Sequence, residues 1–271
     1  MDNNAPIGIL DSGIGGLTIA RAIQQLLPNE SLVYVGDTAN LPYGDKSPAV
    51  INDRVWYIVD FLLKQRVKLI VVACSTATAA SGEQLAKYLK NKVPLINVVD
   101  PLVEYLTAND QYSKQKLGLI GTTYTVNSNI YQQKLAKQEK QFELYSLATP
   151  LLVPAIEAGF LTDNFEEQIA LAIKHSFENG FLTGIETLIL GCTHYPIIKS
   201  QLAGFYANRI EVVDSSEATA GSVSKTLVAD QLLATKSATN TFYATANPQL
   251  FSRKADLFLT GKIKTKLLTF D

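Results

Sequence analysis

Apolar residues along the chain alternate between short continuous runs and longer stretches with helical spacing. Ile7-Gly8-Ile9-Leu10 reads as a buried strand and leads into Asp11-Ser12-Gly13-Ile14-Gly15-Gly16, a loop able to turn tightly. Helical spacing follows over residues 17–27. Further strands are expected at 31–35, 69–73 and 95–99, and helices at 48–66 and 78–90. Apolar strands alternating with helices imply a parallel sheet covered on both faces.

A second set opens at Lys116-Leu117-Gly118-Leu119-Ile120-Gly121 and again enters a small-residue loop, Thr122-Thr123-Tyr124-Thr125, before a helix. Residues 163–178 spell an amphipathic helix, with Phe165, Ile169, Ile173 and Phe177 at four-residue steps. Asp163 and Glu166 have capping-box spacing, and Gly180 is the expected stop. A strand is expected at 187–190. The two sets read as a loose internal duplication. Each presents an apolar run, a small residue, a cysteine and a hydroxyl residue: Val71-Val72-Ala73-Cys74-Ser75 beside Ile189-Leu190-Gly191-Cys192-Thr193. Val98-Val99-Asp100-Pro101 and Val212-Val213-Asp214-Ser215 read as matching crossovers. The expected organisation is therefore a first α/β domain over 1–99 plus 213–271 and a second over 100–212, with a cleft between them. Residues 225–271 carry the least readable pattern.

Composition narrows the function. With 47% apolar and 18% charged residues, the chain is ordinary globular material of sufficient length for two subdomains. Its net charge of -1 and lack of a basic block argue against nucleic acid as a partner. No apolar run suits a bilayer span, and Met1-Asp2-Asn3-Asn4-Ala5-Pro6 lacks the signal-peptide pattern, so a cytoplasmic location is expected. Two cysteines in that setting point to free thiols. There is no CxxC, and neither histidine has a second ligand at zinc spacing, so no metal is expected.

Ligands of parallel α/β sheets bind beyond the carboxyl ends of the strands, where both cysteines are expected. A buried cysteine is often only a small hydrophobe. Two in matching strand-end settings, and no others, favour chemistry. The Asp11–Gly16 loop lacks the third glycine of a dinucleotide fingerprint, because Thr18 occupies its place. A carboxylate-binding loop and a plain tight turn both remain open for it. Asp37-Thr38-Ala39-Asn40-Leu41-Pro42-Tyr43-Gly44 is a polar loop shaped by Pro42 and Gly44; taken alone it reads as a surface turn, with Tyr43 the residue able to reach a ligand. His194, two residues beyond Cys192, is suited to setting the protonation of that thiol. His175 lies off the apolar stripe and is expected to be solvated. Glu157 is undecided by pattern.

These motifs together resemble the glutamate racemases of the aspartate/glutamate racemase superfamily. The resemblance runs from Ile7 to about Ala220 and rests on Gly8 to Leu17, Gly36-Asp37 through Pro42-Tyr43-Gly44, Ala73-Cys74-Ser75-Thr76-Ala77 and Gly191-Cys192-Thr193-His194-Tyr195-Pro196. It implies two similar three-layer α/β/α domains with mostly parallel sheets, related by a pseudo-two-fold axis, with the active site in the cleft. It implies cofactor-independent interconversion of L- and D-glutamate, with D-glutamate supplied to peptidoglycan, and a homodimer. Catalytic roles would fall to Cys74, Cys192, Asp11, His194 and Glu157: Cys74 as the base for D-glutamate, Cys192 as the base for L-glutamate, and the other three assisting. Substrate contacts would come from Asp11, Ser12, Pro42, Tyr43, Gly44, Ser75, Thr76, Thr122, Thr193 and His194. The chain departs from the family's usual Cys-Asn-Thr by carrying Ser75. Aspartate racemases tend to open with Gly-Gly-Met-Gly and to carry Cys-Thr-Glu, so glutamate is the favoured substrate. A non-catalytic amino-acid-binding protein on the same fold is the alternative from another class.

Overall fold

The computed structural model describes residues 2–159, 162–178, 182–236, 238–256, 258–259 and 261–269. Two compact units emerge. The first comprises residues up to Val98 together with those from Ser216 onward, and the second is Val99–Ser215.

The first unit opens with strand β1 (Ile7–Asp11), helix α1 (Leu17–Leu26), β2 (Leu32–Gly36), α2 (Pro48–Lys64), β3 (Leu69–Val72), α3 (Ser75–Leu89) and β4 (Leu95–Asn97). All five residues of β1 and of β2 are buried, as are all four of β3. A strand with both faces covered by helices has no solvated side, which is why these runs are apolar up to the Asp11 that ends β1. Ser47 caps α2 by accepting the Val50 N–H, and Pro48 stands at the first helical position, where its missing N–H costs nothing.

The second unit contains α4 (Asp100–Ala108), β5 (Lys116–Gly121), α5 (Thr123–Asn127), α6 (Ile130–Leu135), β6 (Glu143–Ala148), α7 (Leu152–Gly159), α8 (Phe165–Phe177), β7 (Thr187–Gly191), α9 (Lys199–Phe205) and β8 (Glu211–Asp214). Ile169, Ile173 and Phe177 are buried on α8 as the spacing predicts, in one cluster with Leu152, Ile156, Leu188 and Leu190. The expected capping box does not form. Asn164 holds the N-cap position without a side-chain cap bond, and its Oδ1 accepts from Gln168 instead. Glu166 is engaged by Gln201 from α9, so a tertiary contact has displaced the local one. Gly180, the expected stop, lies outside the described residues.

The chain then returns to the first unit through α10 (Ser216–Ala229), β9 (Thr241–Ala244), α11 (Pro248–Ala255) and β10 (Thr265–Leu267). The first sheet has the order β10-β9-β2-β1-β3-β4 and the second β6-β5-β7-β8. Every pairing in both is parallel. The order β2-β1-β3-β4 is repeated as β6-β5-β7-β8, so β3 and β7 are equivalent strands. Each unit thus carries its cysteine just beyond the same strand. Gly8 of β1 and Gly118 of β5 match as well. A Cβ on Gly8 would lie 3.1 Å from Val67, and one on Gly118 would lie 2.7 Å from Ile185. The C-terminal segment, unreadable by pattern, extends the first sheet beyond β2 with two short strands, β9 and then β10 at the edge.

Candidate functional site

In the first unit, three adjacent strands deliver polar side chains to one sheet edge. Asp11 ends β1, Asp37 follows β2 and Cys74 follows β3. Parallel register aligns their carboxyl ends, since Leu10 faces Val72 and Asp11 faces Gly36. Asp11 is fully buried, and its Oδ2 accepts the Gly13 N–H at 2.9 Å. Gly16 is required beside it: a Cβ there would fall 2.7 Å from the Asp11 Cβ and 2.8 Å from the Tyr34 hydroxyl. That hydroxyl donates to the Gly13 carbonyl at 2.9 Å and fixes the turn.

Helix α3 begins directly after Cys74, earlier than the expected start at residue 78. Cys74 is itself the N-cap. Its Sγ accepts the Ala77 N–H at 3.4 Å and lies 3.6 Å from the Ser12 Oγ. A sulfur in that position meets the amide donors of the first turn and the positive end of the helix, both of which stabilise negative charge. Ser75 and Thr76, in the first turn of α3, are buried. The loop after β2 is no surface turn. Asp37 is fully buried and Tyr43 nearly so, while Pro42 and Gly44 on either side of Tyr43 are half-buried. Asp37 accepts hydrogen bonds from Tyr43, Arg54, Thr245 and Asn40. Tyr43 has a phenol pKa raised far above its ordinary value, chiefly by burial, then by the charge and hydrogen bond of Asp37, with Cys74 adding to it.

The second unit brings three predicted residues together. Cys192 follows β7, and its Sγ lies 3.9 Å from His194 Nδ1. The other ring nitrogen, Nε2, lies 2.8 Å from Glu157 Oε1 on α7. Glu157 is therefore no solvated carboxylate; its side chain is 14% exposed and that of His194 only 3%. Burial alone would lower the His194 pKa. The hydrogen bonds and charges of Cys192 and Glu157 outweigh it and raise the value to about 10. At neutral pH the ring is then an imidazolium held between two acceptors. Gly191 admits no side chain, because a Cβ would lie 2.8 Å from the Ile120 carbonyl of the neighbouring strand. Thr193 is buried beside Cys192, and Thr122 caps α5 by accepting the Thr125 N–H. His175 pairs with Glu178 on the exposed side of α8, away from the cysteine.

Cys74 and Cys192 are not joined in a disulfide. Among the described residues no group of His, Cys, Asp or Glu is arranged to hold a metal ion, and no helix is long and apolar enough to cross a membrane. Pattern reading missed the partners of Asp37. Arg54 lies on α2 and Thr245 beyond β9, and no local motif marks either one.

A family model described as Asp/Glu/Hydantoin racemase matches residues 16–223. A glutamate racemase of Corynebacterium diphtheriae is 39% identical over 259 residues, covering 95% of both chains. That of Thermus thermophilus is 38% identical over 256 residues, covering 94% of this chain and 93% of its own. Among solved structures, a glutamate racemase isoform of Bacillus anthracis superimposes with a TM-score of 0.90 at 31% identity, covering 98% of each chain. The glutamate racemase of Francisella tularensis, solved in complex with D-glutamate, gives 0.87 at 33% identity with the same coverage.

Proposed function

The chain belongs to the Asp/Glu/hydantoin racemase family, and we propose that it interconverts L- and D-glutamate by passing the α-proton between two thiols, Cys74 and Cys192. The observation that carries this reading is the duplication. Equivalent strands β3 and β7 are each followed by a cysteine, and each cysteine has its own distinct acid–base setting.

Inverting a stereocentre requires one group to take a proton from one face and another to deliver a proton to the opposite face. Cys192 is assigned the L-glutamate proton and Cys74 the D-glutamate proton. In the L-to-D direction the Cα–H bond breaks as an S–H bond forms on Cys192. The Cys74 S–H bond then breaks as the new Cα–H bond forms. The reverse direction exchanges the roles. His194, as an imidazolium oriented by Glu157, holds the Cys192 thiolate as its counter-ion. At 3.9 Å the contact lies at the long end of a hydrogen bond to sulfur. On the other side the Ala77 amide and Ser12 support Cys74, with Asp11 as the neighbouring carboxylate. The α-proton of an amino acid is weakly acidic, so the carbanion-like transition state needs fixed donors in a dry site. Ser12, Ser75, Thr76, Thr122, Thr193 and backbone groups near Pro42, Tyr43 and Gly44 are the proposed donors to substrate. No cofactor enters this scheme. Supply of D-glutamate to peptidoglycan, in the cytoplasm and by a homodimer, completes the proposed role.

Circular dichroism of L- or D-glutamate solutions tests the activity. The signal should decay to zero from either enantiomer, and L-aspartate should keep its signal under the same conditions. A stable glutamate signal would overturn the reading.

A further inference from the structure

Asp37 is not needed by the proton transfer described above, yet its carboxylate is heavily bonded. Its Oδ2 accepts the Tyr43 hydroxyl at 2.8 Å and Arg54 Nε at 3.0 Å. Its Oδ1 accepts the Thr245 hydroxyl at 2.7 Å, Asn40 Nδ2 at 3.1 Å and Arg54 Nη2 at 3.3 Å. A carboxylate offers about four lone-pair sites, so these bonds saturate it. Saturation leaves Asp37 no lone pair to spare for a ligand. A buried carboxylate with its lone pairs spent and a guanidinium against it has the chemistry of a clamp.

What it clamps is specific. Thr245 lies immediately beyond β9, in the C-terminal segment, and accepts the Ala39 N–H at 2.9 Å while donating to Asp37. Its own N–H donates to the Gly36 carbonyl. Thr38 Oγ1 donates to the Ala246 carbonyl at 2.7 Å and accepts the Ala246 N–H at 2.8 Å. The loop from Asp37 to Tyr43 is thereby tied at its start to residues 245 and 246 and at its end to the Asp37 carboxylate. Leu41 packs over Gly13 of the Asp11 loop, within 2.9 Å of where a Cβ would stand.

We infer that Asp37, Arg54 and Thr245 form a buried positioning device that sets the pose of the Pro42-Tyr43-Gly44 segment, and through it the affinity for the amino-acid substrate. The inference rests on the assignment of that segment to substrate binding. Because the Tyr43 hydroxyl is spent on Asp37, the segment would present its ring and backbone amides, and not a phenol, to the ligand. Protonation of the phenol at all working pH values agrees with this.

Steady-state racemisation of glutamate by Thr245→Val, Thr245→Ser, Arg54→Lys and Tyr43→Phe tests it. Thr245→Val keeps the shape and removes both the donor to Asp37 and the acceptor of the Ala39 N–H. KM should rise about ten-fold with kcat within about two-fold, because binding common to ground and transition states is lost. Thr245→Ser should restore KM. Tyr43→Phe should raise KM similarly, and the double variant with Thr245→Val should fall short of the product of the two effects, since both act on one carboxylate. Arg54→Lys, which keeps the charge and loses the fork, should also raise KM. An unchanged KM in Thr245→Val, even with a lowered melting temperature, would reduce the cluster to ordinary packing and overturn the inference. Fully multiplicative effects would do the same. Absence of activity in the unmodified protein would instead strike at the racemase reading itself, so the two failures are distinguishable.

Discussion

Replacing Glu157 with Gln removes one negative charge from the His194 environment while leaving an acceptor of the same shape. The folded-state His194 pKa of about 10, against an ordinary 6.5, is produced first against burial and then by Cys192 and Glu157 together. At about 1.4 kcal/mol per pH unit of separation, the two partners stabilise the folded protein by several kcal/mol when the ring is charged. Cys192 supplies the larger part. The Glu157 part is one charge-assisted bond with a carboxylate that is 14% exposed, so its loss should cost roughly 1–3 kcal/mol near pH 7. The sign follows from the direction of the shift. A raised histidine pKa gives stability that is fully present below about 6.5 and lost as pH rises toward 10. Urea unfolding of the unmodified protein should therefore show declining stability across that window, and Glu157→Gln should show a shallower decline from a lower start. The chain has only two histidines, so ring NMR signals are readily assigned, with His175 as the internal comparison. A His194 ring that titrates at or below 6.5 in the unmodified protein, or at the same pH in both proteins, would refute the reasoning. The kinetic consequence has a constraint of its own. Enantiomers in water have an equilibrium constant of one, so kcat/KM must fall equally for L- and D-glutamate even though Glu157 serves only one thiol.

The Ser75→Asn variant, which restores the family's usual residue in the first turn of α3, should retain racemisation with KM changed by about two- to ten-fold, the equivalent of one hydrogen bond; steady-state kinetics check this, and an inactive parent rescued by Asn would contradict it. Lys68 is fully buried, 2.5 Å from Glu30, and also donates to the Asn3 and Leu232 carbonyls. Lys68→Met should lower unfolding free energy by about 3–5 kcal/mol in denaturant titration, and adding Glu30→Gln should recover part of it, because the uncompensated charge is then removed. A Lys68→Met protein as stable as its parent would show that the pair carries no such weight.

Strands β1, β2 and β3 were legible because they are buried on both faces, so their runs are apolar up to the Asp11 that ends β1. The two cysteines were legible for a related reason, as each ends such a run. The start of α3 was not, since Cys74 caps the helix with its thiol and cysteine carries no capping signal. The capping box on α8 was a local pattern overridden when Glu166 found Gln201. Glu157 could not be read, because its partner His194 is 37 residues away in sequence. The same holds for Asp37 and Thr245, separated by 208 residues. Strands β9 and β10 span only Thr241–Ala244 and Thr265–Leu267, too short for a periodic signal, and their place in the sheet is set by pairing of β9 with β2 and of β10 with β9. Elements with a local pattern were therefore visible in the sequence, as was the nearby pair Cys192 and His194, whereas polar partners distant in sequence were not.

The account's central claim is that two different thiols serve the two faces of one α-carbon. Racemisation of L-glutamate in D₂O, sampled at early turnover by NMR and mass spectrometry, tests it most directly. The D-glutamate formed should carry deuterium at Cα while the remaining L-glutamate keeps its proton, and Cys74→Ala and Cys192→Ala should each abolish racemisation. Product that retains the substrate's own proton, or a single-cysteine variant that still racemises, would contradict the account.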